Sequence, residues 1–310
     1  MALDQPTQDY LAQLDALGRP PTHEMTLEQA RSYLPETIEL IGPGPQVGTV
    51  ENIELTAGDG TAFALRTLAP EGPAKAVIVY YHGGGWVIGS IDQVDALARE
   101  MVVRTGCAVV LVGYRKAPEH PYPAAVEDSW QALGWAAEHV EQIAGAQVPL
   151  VVAGDSAGGN LAAVMALRAR DRNGPRIAFQ VLVYPVTNSD VDNRSYNEPS
   201  NQLLLSRESM IWFWDHYLPD VEARHEPEAS PLQHPERAGL PAAIILLAEH
   251  DVLRNEGEAY ADGLRRAGVA VEQRTFAGQM HGFFPMVNVL PGSTAALDYI
   301  ATEIEFALAP

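Results

Sequence analysis

The chain has 310 residues, of which 47% are hydrophobic and 19% are charged, and its formal net charge is −20. A chain of this length and composition can bury a large core and is too apolar to be disordered. Its negative charge argues against nucleic acid and anionic membrane surfaces as partners, because both attract basic patches.

Two helices are predicted in the first 50 residues. An amphipathic helix is expected over residues 7–17, and Gly18 ends it. A second, short helix begins after Thr26, and the proline- and glycine-rich stretch "LPETIELIGPGPQVG" ends it. The chain starts without the basic and apolar segments of a signal peptide, and no stretch reaches the roughly 18 apolar residues of a membrane helix. We therefore expect a cytoplasmic protein with no membrane partner.

Beyond residue 50 the pattern changes from helical to extended. The segments "ENIELTA" and "TAFALRTLAP" alternate on either side of a Gly-Asp-Gly turn, which predicts a hairpin. Continuous apolar strands that alternate with helices predict an α/β protein with a mostly parallel sheet covered on both faces. Six apolar runs of this kind follow, most of them separated by helical patterns: 76–82, 107–114, 149–155, 177–185, 242–250 and 269–278.

The run over 149–155 leads directly into a turn of small residues around one serine. Gly154-Asp155-Ser156-Ala157-Gly158 fits the pattern G-x-S-x-G in the strand–turn–helix setting that a nucleophile elbow requires. Ser156 is therefore the candidate nucleophile. The alternative is an ordinary turn between a strand and a helix.

The alternation of strands and helices stops between residues 186 and 238. This segment is polar and turn-rich, except for "SRESMIWFWDHYL", which predicts a helix with Ser206 as its N-cap. An insertion at this point would lie over the carboxyl ends of the strands, where open α/β sheets bind ligands. We predict that it forms part of a cap; the alternative is a long connection without function.

A serine nucleophile needs a base, which an acid must orient, and on this fold they follow in the order acid, then histidine. Among the later histidines, only His281 lies in a loop beyond the last strand, with an acid at the end of an earlier strand. That acid is Asp251, whose alternative role is to cap the following helix. Glu256, in the first turn of that helix, suits the helix dipole.

The stretch "YYHGGGWVIGS" follows the first buried strand and offers backbone N–H groups for an oxyanion. We expect Gly83 and Gly84 to form the oxyanion hole together with the N–H of Ala157. His82 has no second ligand at a metal-binding spacing, so no metal is expected. We expect His82 to hold this loop by hydrogen bonds.

Five segments taken together resemble the hormone-sensitive-lipase family of bacterial-type esterases: "YHGGGWVIGS", "YRKAPEHPYPAAVED", "GDSAGGNLAA", "DVLRNEG" and "HGFF". The resemblance covers about residues 75–285. It implies an α/β-hydrolase fold with a mostly parallel eight-stranded sheet and a helical cap, no cofactor, and hydrolysis of carboxylic esters. Position by position, it implies a nucleophile, an acid, a base and three oxyanion donors: Ser156, Asp251, His281, Gly83, Gly84 and Ala157.

The sequence departs from the family pattern at three positions. Val252 stands where the family usually has proline, and Asn255 where it has aspartate. Lys116 stands where leucine is frequent. We expect the first two changes to loosen the acid loop slightly without removing a catalytic group.

The expected organisation is N-terminal cap helices over 1–50, a catalytic domain in two parts over 51–185 and 239–310, and a cap insertion over 186–238. The predicted function is a serine carboxylesterase that acts on a small short- to medium-chain ester, as a monomer or homodimer. A non-catalytic, receptor-like relative and an amidase or deacetylase with the same three residues are the alternatives.

Overall fold

One sheet of eight strands runs through the protein, whose computed structural model describes residues 2–309. The strand order is β1-β2-β4-β3-β5-β6-β7-β8; the pairs β1–β2 and β2–β4 are antiparallel and all others are parallel. The predicted hairpin and all six apolar runs are strands of this sheet, which confirms the predicted fold. The strands are β1 Thr49–Thr56, β2 Ala62–Ala69, β3 Val77–Tyr81, β4 Ala108–Gly113, β5 Leu150–Asp155, β6 Ile177–Val183, β7 Ala242–His250 and β8 Val271–Met280.

Helices cover both faces of the sheet, and the strands between them are buried because each packs against helices on two sides. No helix within residues 2–309 has the length and apolar character needed to cross a membrane. The helices are α1 Gln5–Ala16, α2 Leu27–Ser32, α3 Leu34–Ile41, α4 Asp95–Thr105, α5 Ala124–Glu138, α6 Val140–Ala144, α7 Ala157–Asp171, α8 Arg194–Asn197, α9 Arg207–Tyr217, α10 Arg254–Arg266 and α11 Pro291–Ala307.

Within residues 2–48, three α-helices precede β1 instead of the predicted two. The stretch that was expected to end the second helix forms α3 instead. Pro35 lies in the first turn of α3, where the N–H that proline lacks would have no partner within the helix. Proline at this position therefore starts a helix rather than ending one.

The N-terminal segment is held at the carboxyl edge of the sheet through Asp4 and Arg31. The Asp4 N–H donates to the Gly278 carbonyl at 3.1 Å, and Gln279 Nε2 donates to Asp4 Oδ2 at 2.6 Å. Arg31 Nε donates to the Val87 carbonyl at 3.0 Å. Both anchor points adjoin loops that were predicted to carry site residues.

Candidate active site

Ser156 lies on a sharp turn between β5 and α7. The backbone of Ser156 turns the chain from the strand into the helix with φ 57° and ψ −121°. These angles are strained for a residue other than glycine. The turn packs so closely on the neighbouring strand that a Cβ on Gly158 would lie 1.9 Å from the Tyr81 carbonyl oxygen. The chain therefore needs glycine beside Ser156 to present the hydroxyl at the carboxyl edge of the sheet.

Two hydrogen bonds join Ser156, His281 and Asp251. His281 Nε2 lies 3.0 Å from Ser156 Oγ, and His281 Nδ1 lies 2.8 Å from Asp251 Oδ2. Because a carboxylate only accepts hydrogen bonds, Nδ1 carries a ring hydrogen, and in the neutral ring Nε2 then presents its lone pair to the serine hydroxyl. The ring of Tyr184 packs against the imidazole, with 4.5 Å between the centroids. The structure thus brings together the three residues that were predicted from their order in the chain.

The Asp251 side chain is fully buried and uses both of its oxygens. While Oδ2 faces His281, Oδ1 accepts a hydrogen bond from the Leu253 N–H at 2.9 Å. The Asp251 carbonyl accepts another from Asn201 Nδ2 at 3.1 Å. In the part of the chain that the structure describes, no side chain caps α10, whose N-cap is Leu253, so the alternative role of Asp251 as a helix cap is wrong.

The two departures from the family pattern in this loop lie among its contacts with the insertion. Asn255 Oδ1 accepts from the Ser195 N–H at 2.8 Å, and Ser195 Oγ donates to the Val252 carbonyl at 2.6 Å. The Val252 side chain is fully buried. These contacts tie the acid loop to the insertion, and the expected loosening relative to the family pattern stays a prediction.

The glycine-rich loop is fixed by a carboxyl group beside the nucleophile. Asp155 Oδ1 accepts from the Gly83 N–H at 2.9 Å and from the Tyr80 hydroxyl at 2.7 Å. The Gly83 N–H, which was predicted to face an oxyanion, therefore faces a carboxyl group instead. The N–H groups of Gly84, Gly85 and Ala157 make no hydrogen bond within residues 2–309.

Burial raises the pKa of the Asp155 carboxyl, and the hydrogen bonds from Tyr80 and Gly83 act in the opposite direction. Sequence reasoning missed this residue because Asp155 occupies a position that G-x-S-x-G leaves open. A signal was present: an acid at the end of a buried apolar strand requires polar partners.

His82 supports the same loop from behind. Its ring stacks on Tyr114 at 4.4 Å between centroids, and Nδ1 faces the Gly83 carbonyl at 2.7 Å, which confirms the predicted hydrogen bond. Burial lowers the pKa of His82 to about 3, so the ring is neutral and donates through Nδ1. Residues 2–309 contain no group of three His, Cys, Asp or Glu side chains placed to hold a metal ion.

A buried acid, Glu256, joins the acid loop to the start of the insertion. Its Oε1 accepts from the N–H groups of Thr187 at 2.6 Å and Asn188 at 3.2 Å. Burial raises the pKa of Glu256 to about 8, and the neighbouring Asp251 carboxylate acts in the same direction. Glu256 therefore holds the insertion, a role that its interpretation as a residue suited to the helix dipole did not foresee.

The raised pKa of Glu256 predicts that the protein loses stability as the pH rises. Below the ordinary pKa of 4.5, both folded and unfolded chains hold the proton. Between that value and about 8, only the folded chain keeps it. The free energy of unfolding should then fall by up to about 1.4 kcal/mol per pH unit through this group. Glu256→Gln resembles the protonated acid and should remove this dependence.

Urea unfolding at pH 5, 6.5 and 8 measures this effect. Glu256→Gln should become more stable relative to the wild type as the pH rises. The matched control is Glu258→Gln on the same helix, which should follow the wild type. A difference between Glu256→Gln and the wild type that stays constant with pH would contradict the prediction.

A cavity of about 220 Å³ opens beside Ser156. Four parts of the chain line it: the glycine-rich loop, the N-terminal segment at Thr22, the insertion at Phe213, and the loop after His281 at Met286. Its walls are mostly apolar. The arrangement can hold a small apolar group next to an activated hydroxyl.

Comparisons with known proteins agree with this geometry. A family model described as the alpha/beta hydrolase fold matches residues 78–285. Carboxylesterase NlhH of Mycobacterium tuberculosis is 42% identical over 223 residues, which cover 71% of this chain and 70% of that protein. Ethyl acetate hydrolase of Pseudomonas putida is 32% identical over 318 aligned positions, which cover 98% of this chain and 99% of that protein.

Solved structures extend the likeness over the whole fold. A thermostable esterase from Pseudomonas putida ECU1011 superposes with a TM-score of 0.92 and 34% identity, covering 100% of this chain and 98% of that chain. A hyperthermophilic esterase from the archaeon Pyrobaculum calidifontis has the same TM-score and identity and covers 100% of both chains. The chain belongs to the hormone-sensitive-lipase family of the alpha/beta hydrolase fold.

Proposed function

We propose that Ser156, His281 and Asp251 transfer the acyl group of small carboxylic esters to water. The protein is a carboxylic ester hydrolase, as its relatives in this family are. The observation that carries the assignment of residues is the continuous hydrogen-bond chain from the acid through the imidazole to the serine hydroxyl. This intact base also weighs against a non-catalytic receptor.

The reaction proceeds in two similar halves. His281 Nε2 removes the Ser156 proton as Oγ attacks the ester carbonyl carbon, and the same nitrogen then protonates the departing alkoxide. Water repeats the sequence on the acyl-enzyme, which releases the carboxylic acid and restores the serine. Asp251 keeps the imidazole in the tautomer that accepts this proton and stabilises the charged ring.

The negative oxygen of the tetrahedral intermediate needs hydrogen-bond donors that are already in place. Ala157 and Gly84 supply two backbone N–H groups, and the structure favours Gly85 over Gly83 as the third because Gly83 donates to Asp155. One such donor contributes about 2.7–4 kcal/mol in the transition state. Asp155 acts here as a positioning residue, since it fixes the loop without touching the substrate.

Asp155→Ala is expected to lower kcat by about 100-fold with little change in KM, because a small displacement of the loop misplaces the oxyanion donors. Asp155→Asn keeps an acceptor oxygen for Tyr80 and Gly83 and should restore most of the activity. Steady-state kinetics on p-nitrophenyl butyrate measure both variants, with Asp9→Ala on the exposed side of α1 as the control. Equal losses in the alanine and asparagine variants would contradict a positioning role.

The small apolar cavity favours short acyl groups. A series of p-nitrophenyl esters from acetate to dodecanoate, run beside Ser156→Ala, tests the proposed function. Activity should be highest with short chains, fall with the longest, and disappear in the variant. p-Nitroacetanilide and an acetylated sugar in the same assay test the amidase and deacetylase alternatives. Undiminished hydrolysis by Ser156→Ala would overturn the proposal.

A further inference from the structure

A second cavity, of about 500 Å³, lies beside the catalytic one and beneath the N-terminal helices. Helices α1 and α3 and the turn between α1 and α2 form one side of it, and residues 202–209 of the insertion form the other. We call it the second chamber. Both cavities share four lining residues, which we call the junction: Thr22, Ile88, Gln93 and Leu204. The second chamber is therefore the direct continuation of the catalytic cavity.

The size of the catalytic cavity makes this continuation relevant to substrates. Its volume of about 220 Å³ is smaller than ligand pockets usually are, about 300–1,000 Å³. The two cavities together fall inside the usual range. An ester that extends from the first cavity toward the N-terminal helices passes the junction.

The junction presents two polar side chains that have no partner. The Thr22 hydroxyl and the side-chain amide of Gln93 make no hydrogen bond to any other group in residues 2–309. Ile88 and Leu204 form its apolar part. Half-buried donors and acceptors without a partner in the chain are free to bond a polar group of a ligand. The junction therefore fits a polar group a few bonds away from the reacting carbonyl.

Charge in the second chamber limits what that group can be. Asp15 and Glu208 line the chamber without an ion pair in the part of the chain that the structure describes. The cation Arg19 is paired with Glu36 and stacks on Tyr33, with 4.0 Å from Cζ to the ring centroid. The uncompensated negative charge disfavours an anionic ligand, and the overall charge of −20 adds to this effect.

We propose that the second chamber binds the distal half of neutral extended esters that carry a second polar group, such as diesters, and rejects esters with a free carboxylate. This inference rests on the proposed ester hydrolysis and specifies its substrates. In a diester of a dicarboxylic acid, water cleaves one acyl C–O bond and yields an alcohol, the half-ester anion and a proton. Because this half-ester is an anion, the reaction of such a diester should stop after one bond.

Five esters built on six-carbon chains test the proposal on the wild type. On the acyl side, kcat/KM per ester bond should be at least threefold higher for diethyl adipate than for ethyl hexanoate. For monoethyl adipate it should be at least tenfold lower than for diethyl adipate. On the alcohol side, 1,6-hexanediol diacetate is compared with hexyl acetate. The comparison that shows the threefold preference identifies which half of the substrate enters the second chamber.

Two variants examine the junction separately. Gln93→Leu removes the polar amide and should lower the ratio of diethyl adipate to ethyl hexanoate about 3- to 10-fold, the effect of one hydrogen bond. Leu204→Trp narrows the junction. It should lower kcat/KM for diethyl adipate and for ethyl hexanoate at least tenfold relative to kcat/KM for ethyl acetate. The matched control is Leu40→Trp, because Leu40 is also an exposed leucine, lies on α3 and lines neither cavity.

The proposal is overturned if neither comparison shows the threefold preference, or if neither variant changes the ratio of the preferred pair. It is also overturned if the acyl comparison shows the preference but monoethyl adipate is hydrolysed as well as diethyl adipate. p-Nitrophenyl acetate is measured with the wild type and Ser156→Ala in the same preparations. Absent hydrolysis of that substrate would indicate that the proposed function itself has failed. Normal hydrolysis with unchanged ratios would indicate that only the second chamber has been misassigned.

Discussion

Ser156→Ala is expected to lower kcat for p-nitrophenyl acetate by about 10⁶-fold, and His281→Ala by a similar factor. The imidazole lies 3.0 Å from the hydroxyl that it must deprotonate, so either change removes the same step. The double variant should therefore lose little more than each single variant, because groups that act as one unit are not additive. Remaining activity reflects substrate binding and the oxyanion donors alone.

His250→Ala is the control for these variants. His250 is also buried and stands next to Asp251 in the chain, but its Nε2 lies 4.0 Å from Glu249 and not beside the serine. This variant should keep most of its activity, measured on protein whose fold is checked by circular dichroism. A large loss in His250→Ala together with an active His281→Ala would refute the assignment of the base.

Asp251→Asn is expected to lower kcat by about 10⁴-fold. Both carboxylate oxygens accept hydrogen bonds, one from His281 and one from the Leu253 N–H. An amide has only one acceptor oxygen, so its NH₂ must face one of these donors. If it faces His281, the ring changes tautomer and Nε2 carries a hydrogen, which prevents it from accepting the serine proton.

Single-turnover and steady-state kinetics on p-nitrophenyl acetate measure this loss, with unfolding by urea as a check on stability. Asp262→Asn, on the exposed side of α10, is the matched control and should behave as the wild type. An Asp251→Asn variant within tenfold of the wild type would show that the acid is not needed to orient the base.

The sheet and the three central residues could be predicted because their signals are local. Each buried parallel strand appears as a short apolar run, and Asp251 and His281 follow the ends of such runs. Strands that run in parallel bring their ends to one edge. Order along the chain was therefore enough to bring together residues that lie 125 positions apart.

The sequence located the glycine-rich loop but could not predict which of its N–H groups face the oxyanion. Which way an N–H points depends on backbone angles, and the partner of the Gly83 N–H lies 72 residues further along the chain. Helix α3 was missed for a local reason, because Pro35 was interpreted as the end of a helix when it lies in the first turn of one. The buried role of Glu256 depends on Thr187, 69 residues earlier in the chain, and has no sequence pattern of its own.

The anchoring of Asp4 to the strand end beside His281 has a consequence for how the protein is made. Gln279 follows its partner Asp4 by 275 residues. At about 5–20 residues per second, a ribosome needs roughly 14–55 s to supply the second partner after the first. During that interval helix α1 has no anchor at Gln279, and the segment that carries the imidazole does not yet exist. Because Gln279 and His281 are two residues apart, the new chain acquires its general base and the anchor of α1 at nearly the same moment.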